Sequence, residues 1–492
     1  MSRFHIGAGV LALIGYLLSM PTGVAGGDSA ELTLGAYTQG IVHAPGYPLY
    51  LMSAQGFAAV PWPLSFAGRV NLFSVVAAVG TVVLLAWLID TIAPGAPWLA
   101  AGAAMVFGFA PTTWSNAVVA EVYALHTLLV GGVLLMWVRW WRQGHQRDAF
   151  ITALLIGLGL AHHLAMALVA VVIFPVMLWR LGWRERALLC ALVAAPLLFY
   201  AYLPIRSAAS PAFDILSYFE RDMTQPIDLL WMMRGGMFEE RMFRYGLLGW
   251  LAEVGRFGLE WLRALLGIGV VVGFVGLWHL WRTELGLALT LFGVWFLQVL
   301  FFTGYDVFDK WQMFHTAYMS WVVLAGVGGV WAARTGVLSG RWLTVIMVAL
   351  LSVQVGAGWR NFTLTAKHGT VTSTEQLLQL VPSDALLVGD WFTIRPVEYY
   401  QIVEGARTDI RLYDYTLVSL GLRDTLGIDG PALSETTRQA IFDTIDCGTG
   451  PIYIINQRVL QERYELRTVT DRLHQVMQDP ARYPCAYGSV SP

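Results

Sequence analysis

Charge is what this chain has least of. Only 13% of its 492 residues are Asp, Glu, Lys or Arg, where soluble domains carry roughly a quarter. Hydrophobic residues make up 57% and the mean hydropathy is +0.58, which excludes an ordinary soluble protein and predicts a multi-pass membrane protein. Lysine is nearly missing: of 31 basic residues only Lys310 and Lys367 are Lys, a bias typical of a GC-rich bacterial genome. The formal net charge of −2 excludes the basic footprint of a nucleic-acid binder. Cysteine is scarce too, with three residues and no metal-ligand spacing. Cys190 falls in an apolar run, while Cys447 and Cys485 could pair in an oxidising compartment; their spacing leaves that open. No repeat or low-complexity run occurs, and nothing in the sequence calls for a cofactor or a metal.

What is present is a series of apolar runs. Stretches of roughly 20 apolar residues cross a bilayer as helices. They are predicted at 4–24, 68–90, 97–111, 118–138, 149–161, 164–180, 186–203, 261–281, 285–303, 313–333 and 341–358, eleven spans of which several are short. The first is too long for a cleaved signal peptide and lacks a small-residue cleavage site followed by a soluble chain. Arg139, Arg142, Arg147, Arg180, Arg184, Arg186, Arg282, Arg334 and Arg341 fall in connections on one side, with Arg3. Short Arg-rich loops stay in the cytoplasm, so loops 25–67 and 204–260 face outward and the C-terminus lies outside. Loop 204–260 holds six Arg, but it is long enough for the charge rule to weaken. Charge density changes near residue 359: 28 charged residues lie in 359–492 against 36 in 1–358. The expected fold is therefore mainly α, a polytopic helix bundle over 1–358 with a C-terminal outward α/β domain over 359–492. Strands are expected at 385–389, 410–413 and 451–455, and helices at 394–403 and 433–446.

Candidate chemistry concentrates after the first span, in GGDSAELTLGAYTQGIVHAPGYPLY, residues 26–50, which carries Asp28, Glu31 and His43 and no Lys or Arg. A carboxylate there can serve as general base toward an incoming hydroxyl. Asp-x-x-Glu is equally a helix-start signature, with Asp28 as cap and Glu31 folding back on the first turn; the two roles are compatible. Pro45, Gly46 and Pro48 force a tight turn that can fix His43 at a cavity edge, although a solvent-facing turn histidine has the same pattern. Arg69 and Asn71 open the second span, and Arg69 can snorkel, contact a lipid phosphate or pair with Asp28. Glu121 is an intramembrane carboxylate, which by default is functional or paired, with His126 about a turn deeper. His162 and His163 divide two apolar segments. Arg206, after the seventh span, suits bidentate phosphate binding or headgroup anchoring. Asp306, Asp309 and Lys310 line the same cavity or form only a polar turn. Asn361-Phe362-Thr363 is a glycosylation sequon relevant only in a host with that machinery.

Several of these stretches together resemble a known family. Gly-Asp-Ser-Ala-Glu, His-Ala-Pro-Gly-Tyr-Pro-Leu-Tyr, Arg-Val-Asn-Leu-Phe-Ser, Glu-Val-Tyr-Ala-Leu-His, Tyr-Leu-Pro-Ile-Arg-Ser and Gly-Asp-Trp-Phe-Thr occur in that order. The set is similar to a family of multi-pass proteins whose vertebrate branch is a protein O-mannosyltransferase, within the GT-C glycosyltransferase superfamily. The resemblance implies an inverting transferase using a polyprenyl-phosphate sugar. It maps the catalytic acid onto Asp28, with Glu31 as the second acidic position. The family favours Trp before the Asp and His-Pro-Pro-Gly in the turn, where this chain has Gly27 and Ala44.

The resulting expectation is an inner-membrane enzyme with catalytic Asp28 and Glu31. His43, Tyr47, Arg69, Glu121, His162, His163 and Arg206 are expected to bind substrate. Its partners would be a polyprenyl-phosphate-linked sugar, a hydroxyl-bearing acceptor (protein, lipid or glycan) and membrane lipid, and no nucleic acid. A transporter or flippase also fits many spans, although no inverted repeat is visible.

Overall fold

The computed structural model describes residues 1–219, 221–307, 310–361, 369–421, 435–455 and 463–477. The chain opens with α1 (Arg3–Ser19), followed by two short helices, α2 (Asp28–Thr38) and α3 (Pro48–Ala58). The bundle continues through α4 (Phe66–Ile92), α5 (Pro97–Gly108), α6 (Pro111–Ala117), α7 (Val122–Gln143), α8 (Gln146–His162) and α9 (Met166–Arg180). Next, α10 (Trp183–Ala194) runs through a 3-10 segment into α11 (Tyr202–Ala208). After α12 (Pro226–Met233) come α13 (Leu247–Ala264), α14 (Ile268–Thr283), α15 (Leu285–Thr303), α16 (His315–Thr335) and α17 (Gly340–Asn361).

Each of the eleven apolar runs is helical. Among the described residues six helices are long and apolar enough to cross a membrane, or seven if a bent pair counts as one. Helices α1, α5 and α9 are apolar but shorter. The expected span at 261–281 is corrected: α13 and α14 meet at a 97° bend. Leu266 and Gly267 both take positive φ, 53° and 64°, which ends one helix and restarts another. The charged and apolar faces of α13 suit a helix lying along a membrane surface, with Leu247, Leu248 and Leu259 exposed.

Small residues set how closely the bundle packs. A Cβ on Gly276 would stand 1.9 Å from the Leu324 carbonyl oxygen, and one on Gly328 would stand 2.2 Å from that of Val272. α14 and α16 therefore touch backbone to backbone, as membrane helices do where glycine permits. Trp114, Trp137 and Trp321 fill the interior. The Tyr16 hydroxyl donates to the Gly108 carbonyl at 2.7 Å, and the Trp114 indole to Ser19 Oγ at 2.8 Å.

Beyond α17 lie α18 (Gly369–Leu380), β1 (Leu386–Gly389), α19 (Trp391–Ile402), β2 (Arg411–Asp414), α20 (Tyr415–Gly421), α21 (Glu435–Asp446), β3 (Ile452–Ile455), β4 (Glu465–Thr468) and β5 (Leu473–Met477). The sheet order is β2-β1-β3-β5-β4, with β1 parallel to β2 and β3 and the β3–β5–β4 edge antiparallel. The three expected strands are the parallel half. The β4–β5 hairpin was not foreseen, because β4 is polar and mostly exposed. Cys485 lies outside the described residues.

Candidate active site

The site is built on the N-terminus of α2. Gly27, not Asp28, occupies the cap, with φ 64° and no side-chain cap bond, so Asp28 is the first helical residue. Glu31 does not fold back on the turn as a capping box would. It is fully buried, and its Oε1 accepts the His43 backbone N–H at 2.6 Å while its Oε2 meets His43 Nδ1 at 2.6 Å. One carboxylate thus fastens the helix to the His43–Tyr47 turn. That turn carries a cis Ala44–Pro45 bond and positive φ at Gly46 and Tyr47, 85° and 41°. Charge-assisted bonds from two donors of one residue leave Glu31 little rotational freedom.

Asp28 is partly exposed and differently placed. Its Oδ1 accepts the Trp391 indole N–H at 3.1 Å, and Oδ2 makes no hydrogen bond among the described residues. Ligand atoms of Asp28, Glu31 and His43 lie within 4.8 Å of one another. A cation there would have to displace the close Glu31–His43 contact, since both Glu31 oxygens are committed to His43.

Tyr47 packs its ring 5.1 Å from that of His43 and 5.7 Å from that of His163. Burial first, and then the charge of Asp28, push its hydroxyl well above the ordinary tyrosine range, so it stays a neutral O–H donor. Below it sits a cluster of imidazoles. His162 Nε2 lies 2.8 Å from the Val122 carbonyl oxygen, and His163 Nδ1 accepts the Ala165 backbone N–H at 3.0 Å. His126 Nε2 lies 3.0 Å from Thr316 Oγ1, its ring 5.0 Å from that of His163. Glu121 is buried at the start of α7, near enough to act electrostatically on Tyr47 and Tyr50.

The two arginines have structural partners. Arg206 donates from Nε to the Gln39 carbonyl at 2.7 Å and from Nη2 to that of Thr38 at 3.3 Å, capping the C-terminal end of α2. Arg69 does the same for α3 through the Ala58 carbonyl at 2.6 Å. A cation at a helix C-terminus meets the negative end of the dipole. Both cations thereby hold the short helices that begin at Asp28 and just after Tyr47. Arg69 does not pair with Asp28.

The expected loops 25–67 and 204–260 are in contact. Ile41 pairs with Asp214 as an isolated bridge, and the Tyr202 hydroxyl donates to the Gly40 carbonyl at 2.9 Å. Met237 accepts the Ala44 N–H through sulfur at 3.1 Å, and Phe238 stands 6.1 Å from the His43 ring. Asp306 and Lys310 belong to a polar network: the Tyr245 hydroxyl donates to Asp306 at 2.5 Å, and Lys310 pairs with buried Glu253 at 2.5 Å. Asp309 lies outside the described residues.

Asn71 anchors the segment ahead of Asp28. Its amide donates to the Pro21 and Gly23 carbonyls at 3.1 and 3.2 Å and accepts the Ala120 N–H at 2.8 Å. Trp391 is the contact that sequence reasoning missed. Its Gly-Asp-Trp-Phe-Thr setting was visible, but not that the tail reaches the acid loop.

Solved membrane-enzyme structures share this fold. ArnT from Cupriavidus metallidurans, in its crystal structure bound to undecaprenyl phosphate, superposes with a TM-score of 0.57 at 13% identity, covering 96% of this chain and 97% of that one. The Archaeoglobus fulgidus oligosaccharyltransferase, in complex with Zn and sulfate, gives 0.53 at 10% identity over 92% of this chain and 68% of that one. Residues 28–187 match the family model "Protein O-mannosyl-transferase TMEM260 N-terminal domain". The mouse protein O-mannosyl-transferase TMEM260 is 35% identical over 213 residues, 40% of this chain. The Dictyostelium discoideum protein of that name is 22% identical over 178 residues, 32% of this chain. The matches span only 29% and 21% of the lengths of these two relatives.

Proposed function

We propose that this chain is an inverting glycosyltransferase that moves a hexose, such as mannose, from a polyprenyl-phosphate carrier to a protein hydroxyl. The reaction takes place at the periplasmic face of a bacterial inner membrane. Residues 1–358 carry the chemistry, with the N-terminus cytoplasmic, and residues 359–492 form a periplasmic domain. The observation that carries the reading is the division of labour in the acid pair. Glu31 is buried and tied by both oxygens to His43, whereas Asp28 is partly exposed with one oxygen uncommitted.

Asp28 Oδ2 takes the proton of the acceptor hydroxyl as that oxygen attacks the anomeric carbon. The bond from that carbon to the phosphate oxygen breaks on the opposite face, and the carrier phosphate leaves with the electron pair. The Tyr47 O–H supplies a donor for the departing charge, while Arg206 holds the far end of α2. Similarity to TMEM260 over residues 28–187 supports a protein acceptor.

The test is mass spectrometry of envelope proteins and lipids from three strains: wild type, deletion, and deletion complemented with Asp28→Asn. Hexose missing from the same proteins in both mutant strains is the expected result. A sugar missing from a lipid or glycan instead keeps the chemistry and moves the acceptor. Full modification in the Asp28→Asn strain removes Asp28 as base. No covalent change at all favours the transporter reading.

A further inference from the structure

The acid centre receives a side chain from the far end of the chain. Gly389-Asp390-Trp391-Phe392-Thr393 leads from β1 into α19, and its geometry is tightly fixed. Asp390 caps α19, its Oδ1 accepting the Thr393 N–H at 3.0 Å. The Trp391 backbone N–H donates to Thr416 Oγ1 at 3.1 Å. One turn on, buried Arg395 pairs with buried Asp414 at 3.3 Å and with Glu398, and its guanidinium carbon lies 5.4 Å from the Trp391 ring. Trp391 therefore has its backbone tied down and its ring packed, only 8% exposed.

From that footing its indole N–H reaches Asp28 Oδ1 at 3.1 Å. Two neighbouring contacts join the same surfaces. The Tyr399 hydroxyl accepts the Ala67 N–H at 3.3 Å. Phe392 lies over Gly27, where an added Cβ would come within 2.7 Å of its ring. Gly27 thus leaves room for the tail residue to sit directly beside the acid.

We propose that Trp391 is a positioning residue for the transfer. Its N–H holds Oδ1 so that Oδ2 faces the acceptor, and the site is complete only with α19 docked on α2. This rests on the reading of Asp28 as base. A carboxylate at the start of a helix can rotate about its terminal bond, and one fixed donor removes that freedom. Misplacing a reacting group by about 1 Å can cost about a hundredfold in rate.

The experiment separates the N–H from the ring. β-(3-Benzothienyl)alanine at position 391 keeps the shape of Trp and replaces N–H by sulfur, while Trp391→Phe removes the donor and shrinks the ring. Full-length protein is given radiolabelled undecaprenyl-phosphate mannose and membranes of the deletion strain, which carry the unmodified acceptor. Both variants should lower kcat about tenfold or more, with donor KM within about twofold and the isostere's melting temperature unchanged. An isostere that turns over at the wild-type rate overturns the inference, even if Trp391→Phe is slow, because the ring alone would then matter. Asp28→Asn run alongside distinguishes the two levels: if it stays active, the base assignment fails. An activity-independent check is the nitrogen-labelled Trp391 indole N–H resonance, which should shift in Asp28→Ala. An unmoved resonance refutes the bond.

Discussion

Replacing His43 by Phe should destabilise the protein through Glu31 rather than through the ring it removes. His43→Phe preserves an aromatic ring against Tyr47 and Phe238, 5.1 and 6.1 Å away by centroid. It deletes, among the contacts of this side chain, the one from Nδ1 to Glu31 at 2.6 Å, which leaves a fully buried carboxylate with the His43 backbone N–H as donor. Hydrogen bonds to charged groups contribute about 1.5–3 kcal/mol, and stranding one partner of a buried pair costs about 3–5 kcal/mol. A loss of about 3 kcal/mol is expected. Glu31→Leu should lose a similar amount, because the His43 N–H and ring then lose their acceptor. The double variant leaves no buried charge, so it should be less destabilised than the two singles summed, by about 1 kcal/mol or more. Unfolding free energies from denaturant titrations of the four proteins in mixed micelles close the cycle. Additivity within about 0.5 kcal/mol would refute the claim that Glu31 and His43 form one unit.

Asn71→Ala strands the Pro21 and Gly23 carbonyls and the Ala120 N–H; at about 1–3 kcal/mol per unsatisfied buried group, a marked drop in melting temperature is expected. Asn71→Asp can satisfy only the Ala120 donor and should rescue little in the same measurement. Gly328→Ala places a methyl carbon 2.2 Å from the Val272 carbonyl oxygen, so α14 must move. Overpacking of this kind costs about 1–3 kcal/mol, read as a lower thermal midpoint in detergent, whereas Gly329→Ala next to it meets open space and should be silent.

The parts of the fold governed by composition were legible. A run of apolar residues must become a helix wherever backbone polar groups meet lipid, so each of the eleven runs is helical. Composition does not reveal the path, however. Leu265-Leu266-Gly267 looks like more apolar helix, and only the positive φ at Leu266 and Gly267 turns α13 by 97° from α14. The parallel strands β1 and β3 were visible because they are fully buried and apolar, and β4 was not because it is polar and mostly exposed. At the site, Asp28, Glu31 and His43 stood out as polar groups crowded in an apolar loop. Their roles depend on contacts that no local pattern encodes: His43 closing on Glu31, Trp391 arriving from the tail, and Arg206 reaching back to the end of α2. Arginine beside a span resembles a phosphate ligand, yet the unsatisfied carbonyls of a nearby helix end compete for the same donors.

The contact between Gly27 and Phe392 links two positions at opposite ends of the chain. Because the ring of Phe392 lies where any side chain at position 27 would begin, the two residues share one volume. A large residue before the acid and a phenyl ring in the tail are alternatives in this geometry. Chains built on this plan should therefore vary the two positions together, and a graft of either the acid loop or the tail from a relative carrying Trp before the acid should fail unless both are exchanged.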